Sequence, residues 1–294
     1  MKKYPKIGIV ILNYVTYQLT VNLVNSLTDL DYDNFFVVIV DNKSPNNSYH
    51  ELLKFTNSNE YLFDIYLIES DKNGGYSYGN NIGAKKAYEV GAKYTAIMNN
   101  DLEFPNKNLL KNLVVPLENN NEYVVSCPLI LDSNNMPEKP ILFNRRNIFY
   151  DTFDFILIPL NNAVKSRKKS EGFEDKILMG SGCCFLINSI FFKKIGYFDE
   201  ALFMYGEEYI LGEKIYQANK KLKYLTNIHV IHKHRLTTSK FYKERNILKM
   251  GRKAKLYYYR NYRKVNIIFL IIWYFRFWFE AEFYKRFILR TYVK

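Results

Sequence analysis

The sequence predicts an α/β protein built on a mainly parallel, doubly wound sheet, with a helical extension at its C-terminal end. Three observations carry this. Five short apolar runs rich in Ile, Val, Phe and Tyr begin near Ile7, Phe35, Tyr61, Tyr94 and Tyr123. Successive runs are about thirty residues apart, the length of one βαβ unit. The segments between them show helical spacing, and the chain turns basic and aromatic towards its C-terminus.

Taken in order, Ile7–Leu12 forms the first strand, closed by Asn13-Tyr14, and Leu19, Leu23, Val24 and Leu27 share one helical face. The second run, from Phe35, ends in Val40-Asp41-Asn42-Lys43-Ser44. The third is followed by the glycine-rich stretch Asn73–Gly83, which opens a helix whose face is Ile82, Ala84, Ala87 and Tyr88. The fourth ends in Asn99-Asn100-Asp101-Leu102-Glu103, ahead of a helix carrying Leu109, Leu110, Leu113 and Leu117. Alternation of this kind places a ligand at the C-terminal strand ends. From Asp132 to Lys176 the pattern is lost among prolines, asparagines and the basic cluster Lys165–Ser170. Such a segment is either a lid or binding loop, or disordered. Order resumes at Ile177, with helical signals at Ser189–Ile195 and Glu207–Ala218 and a strand-like run at Leu222–Ile231. We expect a catalytic body over residues 1–239 and a helical extension over 240–294.

The net charge of +13 is uneven. Lys233–Lys264 holds twelve Lys/Arg against the single acid Glu244, whereas the first 232 residues balance to −1. A neutral body with a basic tail argues against a nucleic-acid binder, and the tail runs directly into the apolar stretch Val265–Phe275. Bases beside Trp273, Trp278 and their aromatic neighbours suit an anionic membrane surface; packing on the body or on a second subunit uses the same residues. The eleven uncharged residues are too few to span a bilayer. Cys127, Cys183 and Cys184 fit no zinc spacing, and the short N-terminal apolar run lacks the features of a signal peptide. The expectation is a cytoplasmic protein attached peripherally to the inner face of the cell membrane.

Residues able to do chemistry fall where strands end. Asp41 can accept an imide N–H from a uracil or thymine ring and Tyr14 can stack on it, although Asp-Asn-x-Ser also makes a capping turn. The glycines of Asn73–Gly83, which lack the GxGxxG spacing, allow backbone to approach a diphosphate at a helix N-terminus or make a structural turn. Asp101, at an acidic strand end, suits either a hard divalent cation or a cap. His232, just past the run Leu222–Ile231 and sharing a face with Val230 and His234, suits either a metal ligand or a structural histidine. Glu207 and Glu208 sit at a helix start, as dipole partners or with one of them as a general base.

The order of these segments resembles the family 2 inverting glycosyltransferases of the rhamnosyltransferase-like type, from about Lys6 to Asn261. The matching stretches are Ile9–Tyr14, Val40–Ser44, Asn73–Gly83, Asn99–Asp101, Gly180–Gly182, Gly196–Glu200, Tyr205–Glu208, Val230–His232 and Tyr258–Asn261. The resemblance implies a Rossmann-like nucleotide-diphospho-sugar transferase domain. It implies nucleotide contacts from Asn13, Tyr14, Asp41, Asn73, Gly75, Asn80, Asn99 and Asn100, and sugar or acceptor contacts from Gly180, Ser181 and Gly182. It further implies Mn²⁺ or Mg²⁺ on Asp101 and His232, and Glu208, beside Glu207, as the base. The chain departs from the family pattern in keeping only the last acid of Asp-x-Asp, in carrying Glu208 for the usual Asp, and in carrying Ile210 where relatives have another acid. The implied activity is metal-dependent transfer of a sugar from a UDP- or dTDP-linked donor to a glycan or lipid-linked glycan in surface polysaccharide synthesis. An inactive nucleotide-sugar-binding subunit is the rival reading, and a homo-oligomer is compatible with either.

Overall fold

β1 (Ile7–Asn13) is apolar on both sides of its pleat, so it must be covered on both. The computed structural model describes residues 4–138, 141–142, 177–233 and 244–283. In it, Ile7, Ile9 and Ile11 face one core layer and Val10 the other, the alternation a strand imposes. β2 (Phe35–Asp41) and β3 (Ile65–Glu69) extend the sheet on one side and β4 (Tyr94–Asn99) on the other, all parallel. The third strand starts at Ile65, not at Tyr61. Tyr61 stacks instead on Phe63 and donates its hydroxyl to Asn25.

The connecting helices are α1 (Tyr17–Leu27), α2 (Ser48–Ser58), α3 (Tyr76–Glu89) and α4 (Leu109–Asn119). α1, α2 and α4 cover one face, burying Leu23, Leu52 and Leu113. α3 covers the other, together with α5 (Ser189–Lys194) and α6 (Glu207–Gln217). The remaining strands are β5 (Leu102–Glu103), β6 (Tyr123–Asp132), β7 (Ile141–Leu142), β8 (Ile177–Met179), β9 (Cys184–Asn188) and β10 (Lys221–His232). The main sheet has eight strands in the order β3-β2-β1-β4-β9-β6-β10-β5, and β7 pairs with β8 apart from it. Four neighbour pairs are parallel, but β9 runs antiparallel to both β4 and β6. This reversal puts the start of β9, and with it Gly180–Cys183, at the edge where the parallel strands end.

The extension forms α7 (Glu244–Asn261) and α8 (Ile267–Phe283). α7 docks on the body through hydroxyls. Tyr258 donates to Glu213 at 3.0 Å, while Tyr257 and Tyr262 donate to Asp199 at 2.9 and 2.6 Å. A third apolar cluster joins Leu202 and Ile210 of the body to Ala254, Tyr259, Leu270 and Trp273. Trp273, expected at a lipid surface, is 1% exposed, its ring edge-on to Tyr259 at 5.9 Å. It shares a helical face with Leu270, three residues earlier, and that face meets α7. The Trp278 side chain, the cluster Lys165–Ser170, His234 and the expected 239/240 boundary lie outside the described residues. Among the described residues no helix is long and apolar enough to cross a membrane.

Candidate active site

Strand order reverses between β1 and β4, the switch point where open α/β sheets bind ligands. Asn13 and Asp41 pair in register at the ends of β1 and β2 and are both fully buried. Asn13 Nδ2 donates to Asp41 Oδ2 at 2.6 Å. Asp41 also accepts from the Ser44 backbone N–H at 2.8 Å and the Ser44 hydroxyl at 2.7 Å. Asp41 thus builds the turn that its neighbours' sequence favours. Thr20 donates to Asn13, and Asn100 donates to Thr16 and Thr20, tying the ends of β1 and β4 together. Tyr14 is half-buried beside them.

Asn42 holds the glycine-rich loop by donating to Asn73 Oδ1 and the Gly75 carbonyl. Gly75 has φ +87°, and a Cβ there would lie 1.9 Å from the Phe203 carbonyl oxygen, so no other residue fits. Asn80, buried within α3, donates to the Tyr76 carbonyl. The loop is therefore clamped between the β2 turn and the segment leading to α6.

Asp101 and His232 meet because β5 pairs antiparallel with the end of β10, placing Leu102 opposite His232. Asp101 Oδ1 is buried and makes no hydrogen bond, although it lies 3.2 Å from His232 Nε2. The other ring nitrogen, Nδ1, lies 3.2 Å from Glu138 Oε1. Burial opposes charge on this imidazole, but contacts with Asp101, Cys183 and Glu138 prevail and raise its pKa to about 12. Among the described residues no group of three or more His, Cys, Asp or Glu is arranged around a metal position. The residues fit a divalent ion nonetheless. The buried Asp101 oxygen, and Nε2 once an arriving cation displaces its proton, would offer two ligands, and ions of this type complete their shell with substrate phosphates and water.

α6 begins after two residues with left-handed backbone, Tyr205 (φ 70°) and Gly206 (φ 90°). This tight turn presents Glu207 and Glu208 at a helix N-terminus. Glu207 is buried, and its carboxyl is pushed well above the usual range by that burial and by Glu208. Glu208 is pushed up by burial too. Its own backbone N–H and that of Gly182 pull it down, and Glu138 adds to the rise. A Cβ on Gly182 would lie 2.7 Å from Glu208 Oε1, so the glycine is in direct contact with this carboxylate. Tyr76 donates its hydroxyl to the Gly182 carbonyl at 2.8 Å. Ser181 donates to Cys183 Sγ, and the Cys183 carbonyl accepts from the Asn99 N–H. Gly180 packs against Cys127. The run Gly180–Cys183 therefore links Glu208 to the Asp101–His232 pair in one continuous cluster.

Sequence reasoning did not single out Glu138, Tyr76, Asn81 or Glu213. Asn81 joins α3 to the Gly196–Glu200 segment, donating to Glu200 Oε1 and the Phe198 carbonyl while accepting from the Phe198 N–H. Its signal was the second Asn of Asn80-Asn81, a buried polar pair on an otherwise apolar face. A cavity of about 500 Å³ lined by Tyr4, Tyr32, Phe35, Tyr61 and Phe63 lies at the opposite ends of the strands and holds none of these site residues.

Comparison with known proteins shows the family and the fold. Residues 7–196 match the family model described as Glycosyl transferase family 2. The low-salt glycan biosynthesis hexosyltransferase Agl10 of Haloferax volcanii is 28% identical over 203 residues, which are 69% of this chain and 59% of the relative. The dTDP-rhamnosyl transferase RfbF of Shigella flexneri is 24% identical over 193 residues, 65% of this chain and 57% of the relative. The chain thus spans less than two thirds of the length of either. Among solved structures, the mannosyltransferase PcManGT from Pyrobaculum calidifontis, in complex with GDP-Man and Mn²⁺, superposes with a TM-score of 0.58 at 13% identity. That match covers 96% of this chain and 76% of the other. TarS 1–349 of S. aureus in complex with UDP gives 0.54 at 16% identity, covering 88% and 73%. At these identities the likeness is one of fold.

Proposed function

The chain belongs to glycosyl transferase family 2, and from that premise we propose that it moves one sugar from a UDP- or dTDP-linked donor to an acceptor hydroxyl, inverting the anomeric carbon. The observation that carries this is the contact of Glu208 with Gly182, in the same cluster as Asp101 and His232. A base and a pair able to hold a divalent cation in one cluster are what a single displacement needs.

In this reading Glu208, made more basic by burial, takes the proton of the acceptor hydroxyl as that oxygen bonds to the anomeric carbon. The bond from that carbon to the nucleoside diphosphate breaks, and its electron pair leaves with the diphosphate. Asp101 and His232 would hold Mn²⁺ or Mg²⁺, which when bound offsets the charge growing on the leaving group. Glu138 fixes the imidazole by accepting a hydrogen bond from Nδ1–H, leaving Nε2 directed at Asp101. The nucleobase lies against Tyr14 and the Asp41 turn. The diphosphate lies between Asn73, on a loop that buried Gly75 and Asn80 shape from behind, and Asn99 and Asn100, and Gly180, Ser181 and Gly182 border the sugar. Glu207 supports the base electrostatically. The product is a surface glycan such as capsule, O-antigen or cell-wall polymer. The reading includes peripheral association of the basic extension with an anionic surface at the inner face of the cell membrane, and no nucleic-acid partner.

Hydrolysis of a panel of nucleotide sugars without acceptor, with and without Mn²⁺, tests it. One donor should turn over in a metal-dependent way, and Asp101→Ala should abolish that dependence. Glu208→Gln should keep nucleotide binding while transfer falls by roughly 10²–10⁴-fold. Binding of a nucleotide sugar with no turnover of any donor favours the inactive-subunit reading, which the single acid of Asn99-Asn100-Asp101 would explain.

A further inference from the structure

α8 turns Leu270 and Trp273 inward and leaves Ile267, Ile268, Ile271, Ile272, Tyr274 and Phe275 outward, each 41–62% exposed. Their spacing makes one continuous stripe along the helix. A contiguous apolar surface of this kind on a folded body marks an interaction site. Its surroundings specify the partner. Lys249 and Lys253 of α7, Arg260 at its end and Lys264 just before α8 are exposed, and Lys233–Lys264 carries +11 overall. An apolar stripe on a hairpin that also carries exposed bases matches a surface with hydrocarbon beneath and negative headgroups around it. α8 is 17 residues, roughly 25 Å, and so suits lying along a bilayer rather than crossing it.

The hairpin that carries the stripe is also fastened to the catalytic turn. A Cβ on Gly206 would lie 2.9 Å from the Ala254 Cβ, so α7 rests on the residue preceding Glu207. One turn further along α7, Tyr258 is bonded to Glu213 of α6. Helices pack about 8–10 Å apart, so two such steps put the axis of α8 about 16–20 Å from that of α6.

We propose that the outer face of α8 seats the protein on an anionic bilayer and holds Glu208 near headgroup height, so that the acceptor is a lipid-linked sugar hydroxyl presented at that surface. The acceptor assignment rests on the transferase reading; the docking face does not. The test uses the full chain and vesicles of phosphatidylcholine with or without phosphatidylglycerol, at low and high salt. Wild type should sediment with the anionic vesicles, about tenfold more weakly with neutral vesicles or at high salt. The exposed double substitution Ile268→Glu/Ile272→Glu should lose at least about tenfold of that binding while keeping its melting temperature and donor hydrolysis. With membranes of the source cells as acceptor, label from the donor should enter the organic-extractable fraction, and the double variant should fail to put it there. Equal binding or equal failure on both vesicle types overturns the docking face, as does a dimer that the double variant dissociates. Label found only in water-soluble glycan overturns the acceptor. Sedimentation without hydrolysis of any donor removes the transferase reading, and the acceptor with it, while leaving the docking face in place.

Discussion

Gly182→Ala isolates the placement of the base from its chemistry. The added methyl would stand 2.7 Å from Glu208 Oε1, 3.1 Å from Cγ and 3.2 Å from Cδ, whereas ordinary contact begins near 3.4 Å. The carboxyl must therefore withdraw by about 0.7 Å, and it can, because these are atoms of a flexible side chain. A misplacement of about 1 Å can cost about 10²-fold in rate, so transfer should fall between roughly tenfold and a hundredfold, a barrier increase of about 1.4–2.7 kcal/mol. The backbone at Gly182 keeps its bond from Tyr76, and the melting temperature should hardly change. The assay is steady-state transfer beside calorimetric titration with UDP and dTDP. Nucleotide affinity should stay within about twofold while kcat drops. Wild-type kcat in a folded Gly182→Ala protein would show that Glu208 is not held where a base must be, and the mechanism would fail with it.

Because burial raises both Glu207 and Glu208, kcat should climb with pH through an apparent pKa above the ordinary glutamate value, and Glu207→Gln should move that limb to lower pH. For stability the sign is opposite. Folding favours the protonated form of Glu207, so its contribution is complete below the ordinary glutamate pKa and is lost as pH rises through the raised value. A thermal-melt series should show that decline, and Glu207→Gln should flatten it. Asp41→Ala removes the acceptor of three hydrogen bonds at a fully buried site and should cost about 2–4 kcal/mol, read as a lower denaturation midpoint. Trp273→Ala empties a buried position and should cost about 3–5 kcal/mol in the same assay while leaving vesicle binding per folded molecule unchanged.

The strands that flank the switch point were legible because each is an apolar run closed by a polar residue, and burial on both faces leaves few other solutions. β9 was legible as apolar but not as reversed, since Cys184–Asn188 reads the same in either direction. The Asp101–His232 contact depends on the two-residue β5 pairing with β10, a tertiary event that no local spacing encodes. Glu138 was hidden in an irregular segment, and only its docking on β6, through its N–H to the Ile130 carbonyl, brings it to His232. Trp273 was misplaced because α8 is apolar nearly all round. In such a helix, period alone does not say which side is inward. Asp41 was recognised as a strand-end carboxylate, yet its full enclosure by Asn13 and Ser44 appears only once β1 and β2 are in register.

The reversed strand also sets an order of assembly. Among the described strands β6 pairs with β9 and β10, both of which lie later in the chain. About fifty residues separate the end of β6 from the start of β9, so at synthesis rates of about 5–20 residues per second β6 waits roughly 3–10 s with both edges open. During that interval β1 to β4 can already close on α1 and α3, while an apolar strand with unmatched edges is free to recruit a neighbouring chain. The arrival of Cys184–Asn188 closes one of those edges by joining the two halves, β10 closes the other later, and the first step carries Gly182 to the place where Glu208 will meet it. Nascent chains halted before that point should hold β1 to β4 without Glu208, making this seam the stage of biogenesis most exposed to aggregation.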